Sequence, residues 1–322
     1  MTIRTAVTGE VGQLPRQRTT ARVGRLPKQR RSKRMRRRRW LGLAYVAVPL
    51  LFYGAIVVQP LLQTVNYSFY KWDGVSQATW VGLRNYTTFW QTPDMAEAFG
   101  HVVVLIVMFG FIPLFLGLVC AALLSRAQIK GQSVYRWFLF LPQVLTSVVV
   151  AIIWKRIYAP DGPLNTALGW IGLSSLQRNW LGDFTWALPS LGMIGIWGGF
   201  GFTMLLFLAG IMAIPSELFE AARIDGANRW HEFRYIILPS LRGQMAIGLT
   251  LTITGALRTF DLVYVTTQGG PGNATTTPAL LLYQLAFVNP SVGQAAAIGI
   301  VMAVLCMVIA VVITRLIEGR DK

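Results

Sequence analysis

Long apolar runs dominate the sequence from residue 41 onwards. An α-helix that crosses a bilayer needs roughly 20 predominantly apolar residues, and six runs approach or exceed that length. We therefore predict an all-α, polytopic membrane protein with six transmembrane helices. The predicted spans are about 41–64, 101–124, 138–154, 186–211, 244–266 and 294–316.

Tryptophan residues mark several of the predicted span ends. Trp40 and Trp137 precede the first and third spans, Trp154 closes the third, and Trp186 opens the fourth. Tryptophan is enriched at both membrane–water interfaces, so these positions support the predicted boundaries.

Lysine and arginine residues in the short loops predict the orientation, because cytoplasmic loops carry an excess of these residues. With the N-terminus in the cytoplasm, 24 of the 30 Lys and Arg residues fall on the inner side and five on the outer side. Without residues 1–40 the count is still ten against five. Both termini, including the end at 318–322, are therefore predicted to be cytoplasmic.

The net charge of +17 is concentrated in one segment. Residues 1–40 hold 14 Lys and Arg residues, with Glu10 as their one acid, whereas the rest of the chain has 16 bases and 12 acids. We predict a disordered cytoplasmic tail that contacts anionic lipid, and no nucleic-acid partner. The apolar run that follows is too long for a cleavable signal, so residues 41–317 form the predicted membrane domain.

The loop at 212–243, between the fourth and fifth spans, predicts two short helices joined by a tight turn. Ser216 is the expected N-cap of the first helix and Gly226 suits the left-handed position that ends it. Asn228 is the expected cap of the second helix, and Pro239 is expected to limit it. Such a small unit buries little of itself, which favours docking into the groove of a partner protein.

The same loop resembles the cytoplasmic signature of bacterial binding-protein-dependent ABC permeases. The pattern is Glu-Ala-Ala, three residues, Gly, nine residues, Ile, one residue and Leu-Pro. It is met by Glu220, Ala221, Ala222, Gly226, Ile236, Leu238 and Pro239. The resemblance implies a type I ABC importer permease fold in the cell membrane, with residues 217–232 as the coupling helix and Asp225 among its coupling residues.

Further stretches over residues 40–317 resemble the carbohydrate-uptake branch of that family, which includes the maltose and glycerol-phosphate permeases. They are Gly82–Tyr86, Lys130–Pro142, Ile224–Ala227, Phe260–Tyr264 and Gly269–Pro271. The resemblance implies import of a sugar or oligosaccharide. Import of glycerol phosphate or a polyol, a membrane-embedded enzyme, and a membrane scaffold or receptor remain as alternatives.

Candidate solute-path residues lie in the third to fifth spans. Arg258 and Asp261 are ionisable residues within a span, a functional signal, and their i, i+3 spacing also allows a structural ion pair. Sugars need aromatic faces and hydrogen-bonding groups, so the other candidates are Gln143, Trp197, Phe200, Phe202, Thr203, Thr252 and Thr259. Their positions resemble the solute site of maltose-type permeases, although simple packing is an alternative for each aromatic residue. The fourth span also contains Gly195, Gly198, Gly199 and Gly201, which permit close helix approach.

The chain contains no Gly-x-x-x-x-Gly-Lys-Ser/Thr loop for ATP phosphates, and its two histidines are isolated. We expect neither an enzyme nor a cofactor or metal site in this chain, with ATP and Mg²⁺ on a partner ATPase. The resemblance implies three kinds of partner: a second permease subunit forming a heterodimer, two ATP-binding subunits on the coupling loop, and an extracellular solute-binding protein.

Overall fold

A computed structural model describes residues 45–126 and 131–318. The predicted basic tail at 1–40, the first residues of the first span, Lys130 and the last four residues lie outside the described part. The chain divides into two units, residues 1–59 and 60–322. In the first unit the described residues are helical, with a π-helical stretch at Gly54–Val58, and nearly all of their side chains are exposed.

The first described helix, α1, covers Tyr45–Tyr67. A short antiparallel hairpin follows, β1 at Tyr70–Lys71 and β2 at Thr79–Trp80. Asp73 closes its turn by accepting hydrogen bonds from the Val75 and Ser76 amides and the Ser76 hydroxyl. These bonds stabilise the ionised carboxylate and lower the pKa of Asp73 to about 2.

Twelve further helices complete the part of the chain that the structure describes. They are α2 Arg84–Gln91, α3 Pro93–Ser125, α4 Gln132–Val144, α5 Ser147–Ile157, α6 Pro163–Trp170, α7 Ala187–Met212, α8 Ser216–Ile224, α9 Arg229–Ser240, α10 Arg242–Leu257, α11 Asp261–Thr266, α12 Pro278–Val288 and α13 Val292–Glu318. A 3₁₀ turn occupies Ser174–Leu176.

Four of these helices are long and apolar enough to cross a membrane by themselves: α1, α3, α7 and α13. Two further spans exist if each of two bent pairs is counted as one, α4 with α5 at 97° and α9 with α10 at 66°. The all-α, polytopic prediction is confirmed, with four to six spans in the described residues.

The predicted fifth span at 244–266 is interrupted in the structure. Helix α10 ends at Leu257, and α11 begins at Asp261 after a break at Arg258–Phe260. The third span also differs, because it runs on to Ile157 and breaks sharply near Pro142. Proline removes a backbone donor from a helix, and Leu145 and Thr146 adopt extended torsions before α5 begins.

Helices α3 and α7 pack closely because small residues line their contact. A Cβ atom added at Gly117 of α3 would clash with Thr203 of α7. The Thr203 hydroxyl donates a hydrogen bond of 2.6 Å to the carbonyl of Pro113, so the two helices are joined by a polar bond as well as by packing. Phe207 and Met204 of α7 are fully buried in the same region.

The chain folds back on itself between α11 and α12. The Thr277 hydroxyl donates to the Thr259 carbonyl at 3.0 Å, which returns the chain to the break that precedes α11. Thr275, Thr276 and Thr277 are buried. Their hydroxyls donate hydrogen bonds to backbone carbonyls earlier in the chain; that of Thr275, for example, donates to the Gly270 carbonyl at 2.8 Å. Buried non-helical backbone needs such internal partners.

Candidate functional site

A cavity of about 500 Å³ lies where two helices are interrupted. Pro142, Gln143, Leu145 and Ser147 line it from the break between α4 and α5. The break between α10 and α11 contributes Arg258, Thr259, Phe260 and Asp261. Interrupted helices around a central site are a recurring feature of membrane transporters.

Six of the nine candidate solute-path residues line this cavity. They are Gln143, Phe202, Thr252, Arg258, Thr259 and Asp261. Residues that are distant in the sequence are thus brought to one place by α4, α7, α10 and α11.

The other three candidates lie outside the cavity lining. Trp197 packs edge-on against Trp154 at 5.6 Å between ring centroids. Thr203 is fully buried, and its hydroxyl bonds the Pro113 and Phe200 carbonyls, so it joins helices instead of facing open space. Phe200 is half-buried beside it.

The cavity offers polar side chains that the protein itself leaves available. In the described residues, the side chains of Gln143, Ser147, Arg258 and Asp261 have no hydrogen bond or ion pair within the chain. The expected pairing of Arg258 with Asp261 on one helix face is absent there, because the helix ends between them. Arg258 and Asp261 are both exposed to the cavity.

Two cavity threonines are partly used by their own helix. Thr252 donates to the Gly248 carbonyl at 2.9 Å and Thr259 to the Gly255 carbonyl at 3.1 Å. Their hydroxyl oxygens can still accept hydrogen bonds. Ser147, the first residue of α5, was not among the predicted residues. The sequence signal for it is Pro142, because a proline inside a short span indicates a helix break that exposes the residues after it.

The glycines of α7 divide between packing and open space. A Cβ added at Gly195 would clash with the Phe109 ring, and one at Gly201 with the Leu139 carbonyl. A Cβ at Gly198 would meet nothing within 4 Å, and one at Gly199 would make ordinary contacts with Pro113. Gly198 and Gly199 line the cavity, so their missing side chains contribute to its volume.

The loop at 212–243 forms the predicted helix, turn and helix, which are α8 and α9. Gly226 has a φ of 78°. The Ala227 amide bonds the Ala222 carbonyl at 2.8 Å and the Gly226 amide bonds the Arg223 carbonyl at 3.1 Å, the paired bonds of a Schellman motif. The predicted cap at Asn228 is confirmed, since its side chain accepts from the His231 amide at 3.0 Å.

Two details of that prediction are wrong. Ser216 is the first residue of α8, and the N-cap is Pro215, without a side-chain cap bond. Pro239 lies within α9 and Leu238 has helical torsions. The reason is a π-helical turn at Glu232–Ile237, in which the Leu238 amide bonds the Phe233 carbonyl, so the helix continues to Ser240.

The outer surface of α8 presents the predicted motif. Glu220, Ala221 and Asp225 are exposed, and Ile224 is 86% exposed at the C-terminal end of the helix. Gly226 is exposed as well. The remaining predicted coupling residues are half-buried: Ala222, Ile236, Leu238 and Pro239.

The opposite side of the two helices is anchored to the membrane helices. Phe219 of α8 and Phe233 and Ile237 of α9 pack in one apolar cluster with Phe207 of α7 and Ala121 of α3. Movement of α8 and α9 would therefore act directly on α3 and α7.

Comparison with known proteins decides the family. The family model described as "Binding-protein-dependent transport system inner membrane component" matches residues 113–320, which include every cavity-lining residue except Phe109, and the α8–α9 segment. The chain belongs to this family of ABC importer permeases. The permease is thus an integral membrane component of a transport system and is not an enzyme.

Two relatives match most of the permease. The diacetylchitobiose uptake system permease protein NgcF of Streptomyces coelicolor is 33% identical, covering 87% of this chain and 83% of that protein. The multiple sugar-binding transport system permease protein MsmF of Streptococcus mutans is 30% identical, covering 86% and 95% respectively.

A solved structure confirms the type I importer fold. A chain of a bacterial ABC transporter that imports the acidic polysaccharide alginate superposes on the permease with a TM-score of 0.78. The match covers 90% of this chain and 99% of that chain at 23% identity. Membership of the family implies that ATPase and solute-binding subunits work with the permease.

Proposed function

We propose that this permease carries a sugar or oligosaccharide into the cell through the cavity, driven by ATPase subunits that bind at α8 and α9. The observation that carries the proposal is the cavity itself, with four polar side chains that have no hydrogen-bond or ion-pair partner within the described part of the chain. A solute that crosses a membrane must exchange its water for such groups.

The cavity chemistry suits a polyhydroxylated solute. Gln143 and Ser147 can donate and accept hydrogen bonds, and Asp261 can accept two hydroxyl donors. Phe202 and Phe260 add apolar ring surface, which suits the carbon faces of a sugar ring. A volume near 500 Å³ falls within the usual range for small-molecule sites. The names of NgcF and MsmF, both sugar-system permeases, point the same way.

Glycerol phosphate is a second candidate because of Arg258. Its guanidinium faces the cavity without a carboxylate partner in the described residues, and guanidinium groups recognise phosphate bidentately. Asp261 lies in the same lining and its charge opposes an anion, which favours the neutral sugar.

The α8–α9 segment is the proposed docking site for the ATPase. Glu220, Ala221 and Asp225 are exposed, and Ile224 and Leu218 present apolar surface beside them. An exposed amphipathic helix of this kind fits a groove on a partner. ATP and Mg²⁺ are bound by that partner in the proposal.

The complete importer in this proposal has five parts. A second, different permease chain completes the translocation path, two ATPase subunits bind on the cytoplasmic side, and a solute-binding protein delivers the sugar outside. Both termini and the α8–α9 segment face the cytoplasm, as the distribution of Lys and Arg predicts.

Uptake by cells that lack the chromosomal copy and express a variant tests the cavity. The probes are radiolabelled maltose, lactose, diacetylchitobiose and glycerol 3-phosphate. Gly198→Leu fills the cavity without a clash at Cβ, so uptake of the transported probe should fall at least tenfold while the protein still accumulates in the membrane. The matched control is Gly100→Leu, an exposed glycine of α3 that also has nothing within 4 Å and lies outside the cavity.

The proposal fails if Gly198→Leu transports like the wild type. Glycerol 3-phosphate uptake without sugar uptake would select the second candidate. An equal loss in both leucine variants would show a general defect in α3 and α7 and would also count against the cavity.

A further inference from the structure

An ion pair joins α8 to α9 at the turn between them. Nε of Arg223, near the end of α8, lies 3.2 Å from Oε1 of Glu232 in α9. The two ends differ in burial, since the Glu232 side chain is only 4% exposed and that of Arg223 is 67% exposed.

The buried end makes this pair stronger than an ordinary surface ion pair. Exposed pairs contribute little, whereas here the carboxylate end is buried and therefore held in place by its surroundings. Glu232 therefore holds Arg223, and with it the C-terminal half of α8, in a fixed position against α9.

The position of Glu232 in α9 connects the pair to the membrane helices. Glu232 is the first residue of the π-helical turn, and its neighbour Phe233 packs in the apolar cluster with Phe207 and Leu241. Arg223 lies beside Ile224, at the exposed end of α8. The pair thus links the exposed end of α8, through one side-chain contact, to the helix that enters the core.

The turn does not supply this link by itself. The Schellman bonds at Gly226 and the cap at Asn228 fix backbone groups within each helix end. The Arg223–Glu232 contact crosses from one helix to the other over nine residues, so it resists a change in the angle between them.

We propose that Arg223 and Glu232 are positioning residues that make α8 and α9 one rigid lever between the ATPase and the cavity. The inference rests on the proposed docking of the ATPase on α8. Without the pair, Phe219 still packs against the membrane helices, but the C-terminal half of α8 can move with the ATPase without carrying α9 with it, so ATP hydrolysis continues but moves the cavity less.

A cysteine reporter in the cavity tests the lever without knowledge of the solute. Gly198→Cys places a thiol in open space, in a background where Cys120 and Cys306 are replaced by alanine. The assembled complex with its ATPase is reconstituted in liposomes, and the rate of reaction with a maleimide is measured with and without ATP, Mg²⁺ and vanadate. With the wild-type α8–α9 segment, the labelling rate should change clearly when nucleotide is added.

Four variants are compared in this background. Arg223→Met retains the aliphatic stem and removes the charge, and Glu232→Gln retains the shape and removes the carboxylate. Arg223→Lys restores a cation. Arg229→Met is the matched control, because Arg229 is an exposed arginine of the same segment without an ion pair in the described residues.

Arg223→Met and Glu232→Gln should each reduce the nucleotide-dependent labelling change at least fivefold, while Arg223→Lys and Arg229→Met retain it. The two variants should still retain the ATPase, and loss of ATPase binding in them would contradict the lever, because the proposal keeps the ATPase on α8. A full response in Arg223→Met or Glu232→Gln, or an equal loss in Arg229→Met, overturns the inference. Failure of the proposed docking gives a different result, since the wild-type complex would then neither retain the ATPase nor respond to nucleotide.

Discussion

Single glycines decide whether α7 touches its neighbours or borders open space. Gly195 and Gly198 are three residues apart, yet a Cβ at the first would clash with Phe109 and a Cβ at the second would meet nothing. The sequence predicts close helix approach for both. It cannot separate them, because the difference depends on tertiary packing: the Phe109 ring of α3 lies against Gly195 but not against Gly198.

The contact between Thr203 and Pro113 gives a stability prediction at this scale. Thr203→Val removes a hydroxyl that bonds two carbonyls in a buried helix contact. Hydrogen bonds between membrane helices contribute about 0.6 kcal/mol to stability on average and up to about 1.7 kcal/mol. We expect unfolding of the purified permease in SDS to become easier by about that amount, with sugar uptake retained. The control is Thr254→Val, whose hydroxyl bonds within its own helix and should change stability less. Equal effects of the two substitutions would contradict the interhelical role.

Among the elements, the interrupted helices shape the cavity. The break at Arg258–Phe260 is held open by a segment that arrives from later in the chain, since Thr277 bonds the Thr259 carbonyl and also caps α12 at the Leu280 amide. Residues 244–266 look like one span by hydropathy alone. The contact from Thr277, 18 residues later, binds a carbonyl that the interruption after Leu257 leaves outside the helix.

Thr277 should therefore affect transport although it lies outside the cavity lining. Thr277→Val removes both bonds at a fully buried position and leaves the Thr259 carbonyl short of a donor, so we expect uptake to fall several-fold. Thr277→Ser retains the hydroxyl and should recover most of the rate. Wild-type uptake by the valine variant would mean that the break does not depend on Thr277.

Gly226 gives the corresponding prediction for α8 and α9. Alanine in the left-handed region costs about 1–2 kcal/mol, so Gly226→Ala should distort the turn and lower the amount of ATPase that co-purifies. Gly172→Ala is a close control. Gly172 has a φ of 79°, and a Cβ atom added there, as at Gly226, would meet nothing within 4 Å. It lies after α6, outside the α8–α9 segment. The docking proposal is weakened if both variants, or neither, lose the ATPase.

For the whole molecule, much of the architecture follows from the sequence. The apolar runs predict the long helices α1, α3, α7 and α13. The motif from Glu220 to Pro239 predicts a helix, a turn at Gly226 and a second helix. The break between α10 and α11 does not follow, because it involves a contact of Thr277 with the Thr259 carbonyl, 18 residues away. Pro142 signals the break between α4 and α5 but not its angle of 97°, and the sequence does not show the π-helical turn that carries α9 past Pro239. The same holds for Thr203, whose polar character suggests a solute contact but whose burial against α3 makes it a helix contact.

The most direct test of the account is the side of the membrane on which the α8–α9 segment lies. Single cysteines are placed at Ile224, which is 86% exposed, and at Val75 in the β-hairpin turn, which is 95% exposed, in a background without Cys120 and Cys306. A membrane-impermeant maleimide should label the Val75→Cys protein in intact cells. It should label the Ile224→Cys protein only after the membrane is opened, and bound ATPase should then protect that cysteine. Labelling at position 224 in intact cells would contradict the importer orientation and, with it, the coupling of an internal ATPase to the cavity.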